Sequence, residues 1–285
     1  MSINTQAFKA LCNIREESPL IHNITNDVVM NQTANALLAI GASPVMAHAI
    51  EEVEEMASIA SALVLNIGTL TTPQIHAMLL AGKAAASHSI PIILDPVGAG
   101  ATAFRTETCM ILLKELPISI VRGNGSEIAA IAAQLELISS EKISTKGVDS
   151  TLKTDAAILP ARSLASYFNA TIAVTGAVDF ITDGKHTASI TGGNPLMAAV
   201  TGMGCTSTAV CGAFAAACSF DKNKADKGDD LEYFQASISA LATMKAAGKI
   251  AAAKSQGPGS FVGNFLDTLY NLTADNFSDV SISMH

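Results

Sequence analysis

Short, β-branched, nearly continuous apolar runs alternate along most of this chain with longer amphipathic or alanine-rich stretches. Residues 20–24, 44–47, 63–67, 92–94, 119–121 and 172–174 read as strands. Helices are expected to begin near Asp27, Glu51, Pro73, Phe104, Gly125 and Thr154. Strands without polar alternation are those covered by helices on both faces, so the pattern implies an α/β sandwich around a mainly parallel sheet. After residue 171 the rhythm changes: runs at 172–175, 180–182 and 187–190 read as a small meander. Three helices then follow, near 204–219, 231–254 and 260–272. The charged stretch 221–230 is expected to be a flexible loop. With no repeat and no linker in view, the chain is expected to form a single domain over residues 1–285.

One stretch competes with a soluble reading. No charged residue occurs from Thr187 to Phe220, a length that could span a membrane. The run is dominated by Ala, Gly, Ser, Thr and Cys, however, which supply little insertion energy, and Gly192-Gly193-Asn194-Pro195 breaks it. A buried helix is expected, with no membrane partner. Composition agrees: the 285 residues are 49% hydrophobic and 15% charged, the content of a well-buried globular chain. Lys and Arg number 17 against 25 Asp and Glu, a net charge of −8, and no basic cluster stands out. That argues against a nucleic-acid partner, which needs cations to displace counterions from phosphates. Five cysteines without a C-x-x-C pair, three of them on one expected helix, fit a reducing, cytoplasmic location. No apolar segment of signal-peptide type opens the chain.

The chemistry concentrates at strand ends. Val200-Thr201-Gly202-Met203-Gly204-Cys205-Thr206 leads into the uncharged helix. Two glycines permit close backbone approach, and the first helical turn leaves N–H groups without partners, so a backbone cradle for an anion is expected with a thiol at its rim. Asp95 ends a strand in Asp95-Pro96-Val97-Gly98 and reads as a metal or water anchor, or as a turn former. Asn124-Gly125-Ser126-Glu127 reads as a capping box, or Glu127 as a carboxylate holding Mg²⁺ through water. Arg122 is a solvated charge or a phosphate ligand, and Thr175-Gly176 a turn or a pair facing a nucleotide. Gly98-Ala99-Gly100-Ala101-Thr102-Ala103 formally matches G-x-G-x-x-A, but the next strand ends in Arg122 where a dinucleotide site needs an acid. No P-loop motif and no Cys/His zinc pattern occurs.

Together these segments resemble the hydroxyethylthiazole kinases. The resemblance is carried by Pro19-Leu20-Ile21-His22-Asn23-Ile24-Thr25-Asn26, Gly41-Ala42-Ser43-Pro44-Val45-Met46, residues 94–102, 122–127 and 200–205, and Gly257-Pro258-Gly259-Ser260-Phe261. It implies a ribokinase-like three-layer α/β/α sandwich and ATP- and Mg²⁺-dependent phosphorylation of the hydroxyl of 4-methyl-5-(2-hydroxyethyl)thiazole, for thiamine phosphate synthesis. It further implies that Gly202, Gly204 and the Cys205 N–H form the anion hole, with Cys205 where related kinases place an aspartate base. Arg122 and Thr175 match ATP-binding positions, and Asn124 adjoins them. Met46 and Gly202 match thiazole contacts, with Asn23 and Thr25 beside them, while Asp95 and Glu127 match an acidic pair near the metal. A homotrimer is implied, its thiazole pocket between subunits, residues 23–46 of one chain facing residues 202–205 of the next. The competing expectation is an acyl-transfer hydrolase with Cys205 as covalent nucleophile and His22 as a partner by position only. A non-catalytic nucleotide sensor of the same fold is the third reading.

Overall fold

In the computed structural model, which describes residues 3–137, 154–218 and 230–285, the strands join into one nine-stranded sheet. They are β1 (Leu20–Ile24), β2 (Ser43–Val45), β3 (Ala62–Asn66), β4 (Ile92–Asp95), β5 (Ile120–Asn124), β6 (Thr171–Thr175), β7 (Val178–Thr182), β8 (Thr187–Thr191) and β9 (Ser281–Met284). Their order is β2-β1-β3-β4-β5-β6-β7-β8-β9, parallel from β2 to β6 and antiparallel from β6 onward. The helices are α1 (Ile3–Glu17), α2 (Met30–Ile40), α3 (Val53–Ile59), α4 (Thr72–Ser87), α5 (Ala103–Glu115) and α6 (Gly125–Gln134). α7 (Ile158–Phe168), α8 (Met203–Cys218), α9 (Asp230–Ala253) and α10 (Pro258–Asn271) complete the set.

Successive strand residues point to opposite faces, and each face meets its own helical layer. On one side Ile21, Val64, Ile93, Ile120 and Ala173 pack with side chains of α1, α2, α8, α9 and α10. On the other, Leu63, Leu65, Ile92, Leu94, Val121 and Ile172 pack with those of α3 to α7. The expected three-layer sandwich is the observed one. α8 lies over β1, β3, β4 and β5 and under α1, α2 and α9, so it is enclosed on all sides, and a helix apolar all round is the sequence that fits such a place. The described part of the uncharged stretch thus divides between β8, a 3₁₀ turn at Pro195–Ala199 and α8; among the described residues no helix is long and apolar enough to cross a membrane.

The differences from the expected pattern are local. α2 starts at Met30, not near Asp27, because a turn over residues 27–29 intervenes. β2 ends at Val45, short of the expected residue 47; the Ala47 carbonyl instead accepts from His22 Nε2 at 2.7 Å. Residues 154–157 form a 3₁₀ turn before α7. α1 and β9 are additions that the pattern does not predict. α1 buries Ala7, Leu11 and Ile14, and its Arg15 donates to the carbonyls of Leu269, Tyr270 and Leu272 at the end of α10. A cation there satisfies carbonyls that the helix leaves without partners. Of the expected loop at 221–230, residues 221–229 lie outside the described residues, and Asp230 opens α9.

Candidate active site

Five parallel strands deliver polar residues to one edge of the sheet: Asn23 and Thr25 from β1, Asn66 from β3, Asp95 from β4, Arg122 and Asn124 from β5, and Thr175 from β6. In an open α/β sheet this carboxyl edge is where ligands collect. The N-terminus of α8 points into the same region. Its first backbone bond runs from the Thr206 N–H to the Gly202 carbonyl at 2.8 Å, so the amides of Met203, Gly204 and Cys205 lie ahead of the helical ladder. Gly202 has φ +81°, a left-handed conformation that glycine adopts without strain, and a Cβ there would stand 2.7 Å from Val29 Cγ1. Gly204 is close-packed for another reason: a Cβ would stand 2.7 Å from Arg122 Nη1. The motif therefore brings a guanidinium directly against the helix start.

Arg122 is held from two sides. Its Nη2 donates to the Thr175 hydroxyl, and its Nη1 lies 3.9 Å from Asp95 Oδ2. Asp95 is fully buried, and its Oδ2 accepts from Asn66 Nδ2 and Thr208 Oγ1, each at 2.8 Å. Its Oδ1 has no partner. Burial pushes the Asp95 carboxyl up to about 6, against the pull of Arg122. Asn26 Nδ2 donates to Asn66 Oδ1 at 2.8 Å and reaches Cys205 Sγ at 3.4 Å, so the thiol closes a chain of polar groups running to Asp95. Burial, with the Asp95 charge beside it, pushes the Cys205 thiol up to about 12. At neutral pH Cys205 therefore carries its proton.

Glu127 sits across from this chain and realises the capping reading in full. Its Oε2 accepts the Asn124 N–H at 2.8 Å, while the Glu127 N–H bonds Asn124 Oδ1 at 2.9 Å. The other oxygen, Oε1, accepts the Gly98 N–H at 2.8 Å, which fastens the loop after β4 to α6. Both carboxylate oxygens are thus already engaged by backbone. Among the described residues no cluster of three or more His, Cys, Asp or Glu side chains is built to hold a metal.

A cavity of about 640 Å³ opens beside the α8 terminus, lined among others by Arg122, Asn124, Thr175, Gly176 and Gly204. Asn23, Thr25 and Met46 do not line it. Asn23 is buried and turns back to donate to the Ile21 carbonyl at 2.8 Å, leaving its Oδ1 without a partner; Met46 is half-buried beyond the end of β2. Segment 23–46 also approaches residues 202–205 of its own chain. Within one chain Asn26 meets Cys205, and Gln32 Nε2 approaches Met203 Sδ at 3.6 Å, because α2 packs directly against α8.

The hydrolase expectation finds no support. The hydrogen-bonding neighbour of Cys205 is an amide, not an imidazole; the His22 Nε2 is committed to Ala47, and burial pushes the His22 pKa down. A thiol held protonated beside a carboxylate, with no imidazole in reach, is a poor nucleophile. Sequence reasoning gives Asn26 and Asn66 no task, and it misses Thr208, Asp179 and Lys245. Lys245 had a legible signal: it is the only charged residue between Glu232 and Lys249 on a helix otherwise fit for the interior.

Comparison with known proteins gives the family and the fold. A model of the hydroxyethylthiazole kinase family matches residues 11–275. The hydroxyethylthiazole kinase of Nitratidesulfovibrio vulgaris (strain DP4) is 48% identical over 265 residues, covering 93% of this chain and 92% of that one. The solved structure of hydroxyethylthiazole kinase protein from Pyrococcus horikoshii OT3 superposes with a TM-score of 0.85 at 38% identity, over 99% of both chains. The pyridoxal kinase of Staphylococcus aureus, solved with AMP-PCP and pyridoxal, shares the fold at a TM-score of 0.63 and 15% identity, over 94% of this chain and 98% of that one. The sheet and its helical layers are thus those of a ribokinase-like kinase. More narrowly, the chain belongs to the hydroxyethylthiazole kinase family.

Proposed function

We propose that this chain, as a single kinase domain over residues 1–285, transfers the γ-phosphoryl group of ATP to the side-chain hydroxyl of 4-methyl-5-(2-hydroxyethyl)thiazole, supplying thiazole phosphate for thiamine phosphate synthesis. The observation that carries this reading is the α8 terminus, where unpaired amides, Gly204 and the Arg122 guanidinium stand together at the mouth of the cavity. Phosphoryl transfer asks for in-line positioning and neutralisation of charge on the moving group more than for covalent chemistry. Arg122, Thr175 and Asn124 take the nucleotide, and the amides at 203–205 hold the transferring phosphate. Cys205 orients the acceptor hydroxyl. Met46, Gly202, Asn23 and Thr25 contact the thiazole. The assay is ATP, Mg²⁺ and a panel of small alcohols, read by product mass; phosphate on another acceptor and none on the thiazole alcohol overturns the reading.

Mg²⁺ fits the residues present in one form. Asp95 Oδ1 is a buried carboxylate oxygen without a partner, a suitable direct or water-mediated contact, whereas the oxygens of Glu127 are already taken by two backbone amides and suit only an outer role. When bound, the metal supplies charge neutralisation on the phosphates. Glu127→Gln is expected to lower turnover about tenfold or more and to weaken the Mg²⁺ dependence. One of the two amides loses its acceptor, so stability falls by only about 1–2 kcal/mol and the fold persists. Unchanged turnover across a magnesium titration leaves Glu127 a helix cap alone.

The assembly reading is a homotrimer with active sites between subunits. Supporting it, Val28, Leu38, Ile50 and Ile59 are exposed near the β1–β2 edge, and Met46 stands away from its own chain's cavity. Sedimentation is expected to show a trimer at assay concentration; an active monomer there removes the idea. All five cysteines are free, which supports a reducing, cytoplasmic location.

A further inference from the structure

Lys245 is buried in the middle of α9, yet it reaches the cavity wall. Its ammonium donates to the carbonyls of Gly176 at 2.8 Å and Ala177 at 3.1 Å and lies 3.2 Å from Asp179 Oδ1. An ammonium has three N–H donors, so these three acceptors saturate it and leave none for a phosphate. The same Asp179 oxygen accepts the Gly176 N–H at 2.9 Å, which closes the turn between β6 and β7. Higher on the same side chain, the stem supports a second turn: a Cβ on Gly193 would stand 3.0 Å from Lys245 Cδ. Gly176, Ala177 and Gly193 all line the cavity that also holds Arg122 and Thr175. One side chain thus braces two walls of that cavity against α9.

We propose that Lys245, paired with Asp179, is a positioning residue for nucleotide binding: it fixes the turn at 175–179 so that the Thr175 hydroxyl keeps Arg122 in place, and it makes no contact with the phosphates. The proposal rests on the reading that ATP occupies this cavity. A lysine among the lining residues of a kinase site invites a different role, as a phosphate ligand, but its donors are spent within the protein. Asp179 is the counter-ion beside the buried lysine. Burial pushes the Asp179 carboxyl up, and Lys245 pulls it back. Removing the ammonium alone therefore leaves a buried carboxylate without its counter-ion, which can unfold the chain for reasons unrelated to ATP.

The test separates these effects with four enzymes: parent, Lys245→Met, the double variant Lys245→Met with Asp179→Asn, and Arg122→Met. KM for ATP, KM for the thiazole alcohol and kcat are measured for each. Lys245→Met keeps the stem under Gly193 and loses the brace; the double variant also removes the unpaired charge. Both are expected to raise KM for ATP about tenfold or more, with kcat and the thiazole KM within about twofold of the parent. If Lys245→Met does not fold, the double variant decides alone. A double variant with the parent's KM for ATP makes Lys245 a counter-ion only and overturns the proposal, as does a loss confined to kcat. If Arg122→Met leaves KM for ATP unchanged, the cavity is not the nucleotide site, and the underlying reading falls instead.

Discussion

Replacing Cys205 by alanine is expected to slow thiazole phosphorylation by roughly 10²-fold or more, the scale of a misplaced reacting hydroxyl, while ATP binding persists because the cradle is backbone. Replacing it by aspartate is expected to keep the enzyme active and can make it faster. The physical ground is the state of the native thiol. With its pKa pushed up to about 12, it is protonated at neutral pH, so it orients the hydroxyl without itself taking the departing proton, which passes to the transferred phosphate. A loose transition state tolerates this, because the proton leaves late. A carboxylate in the same place accepts hydrogen bonds with both oxygens, and Asn26, whose amide already reaches Sγ at 3.4 Å, is a donor ready to hold it. The neighbouring Asp95 opposes a second charge there, which bounds the gain. Covalent catalysis predicts the reverse order, since aspartate cannot replace a thiolate in acyl transfer. Parent, Cys205→Ala and Cys205→Asp are compared for thiazole phosphorylation under one magnesium and ATP concentration. If the aspartate enzyme is as inactive as the alanine enzyme while both stay folded, the side chain at 205 does not address the acceptor hydroxyl.

Much of this arrangement is written in local pattern. β3 and β4 are legible because Leu63 and Leu65 on one face with Val64 on the other, and Ile92 and Leu94 with Ile93, are apolar on both sides of the sheet, a demand that only a doubly covered strand makes. The α8 cradle is legible because two glycines bracket the first helical residue. What escapes is of two kinds. β9 is four residues long, exposed on most positions, and exists because β8 offers it an edge, a tertiary cause that leaves little trace in Ser281–Met284 itself. The partnerships of the site are likewise non-local: Thr208 meets Asp95 across 113 positions, and Lys245 meets Gly176 across 69. Residue type and strand end locate Asp95, Arg122 and Thr175, yet nothing local says that Asn66 bridges Asn26 and Asp95. Nor does the capping-box pattern at 124–127 reveal that Glu127 takes a second amide from Gly98.

Two glycines on α8, eight residues apart, are expected to respond to alanine in opposite ways. At Gly204 the added methyl would stand 2.7 Å from Arg122 Nη1 and 3.1 Å from Nη2. The obstacle is the tip of a long side chain, so the helix can accept the methyl by pushing the guanidinium aside. Alanine also favours a helix over glycine by about 1 kcal/mol, so the melting temperature is expected to hold or rise. Function bears the damage. The displaced Arg122 leaves the Thr175 hydroxyl and the helix start together, and kcat/KM for ATP is expected to fall about 10²-fold or more, the scale of one lost donor to a developing charge. At Gly212 the methyl would stand 2.7 Å from Val64 Cγ2, inside the core between α8 and the sheet, where β3 cannot move away. Overpacking of that kind costs about 1–3 kcal/mol, more than the helical gain returns, so Gly212→Ala is expected to melt at a lower temperature yet bind ATP as the parent does. Melting curves and ATP kinetics on both variants read the contrast directly. A Gly204→Ala enzyme with the parent's KM for ATP shows that the close approach of Arg122 to α8 is packing alone, and the guanidinium then has no part in holding the nucleotide.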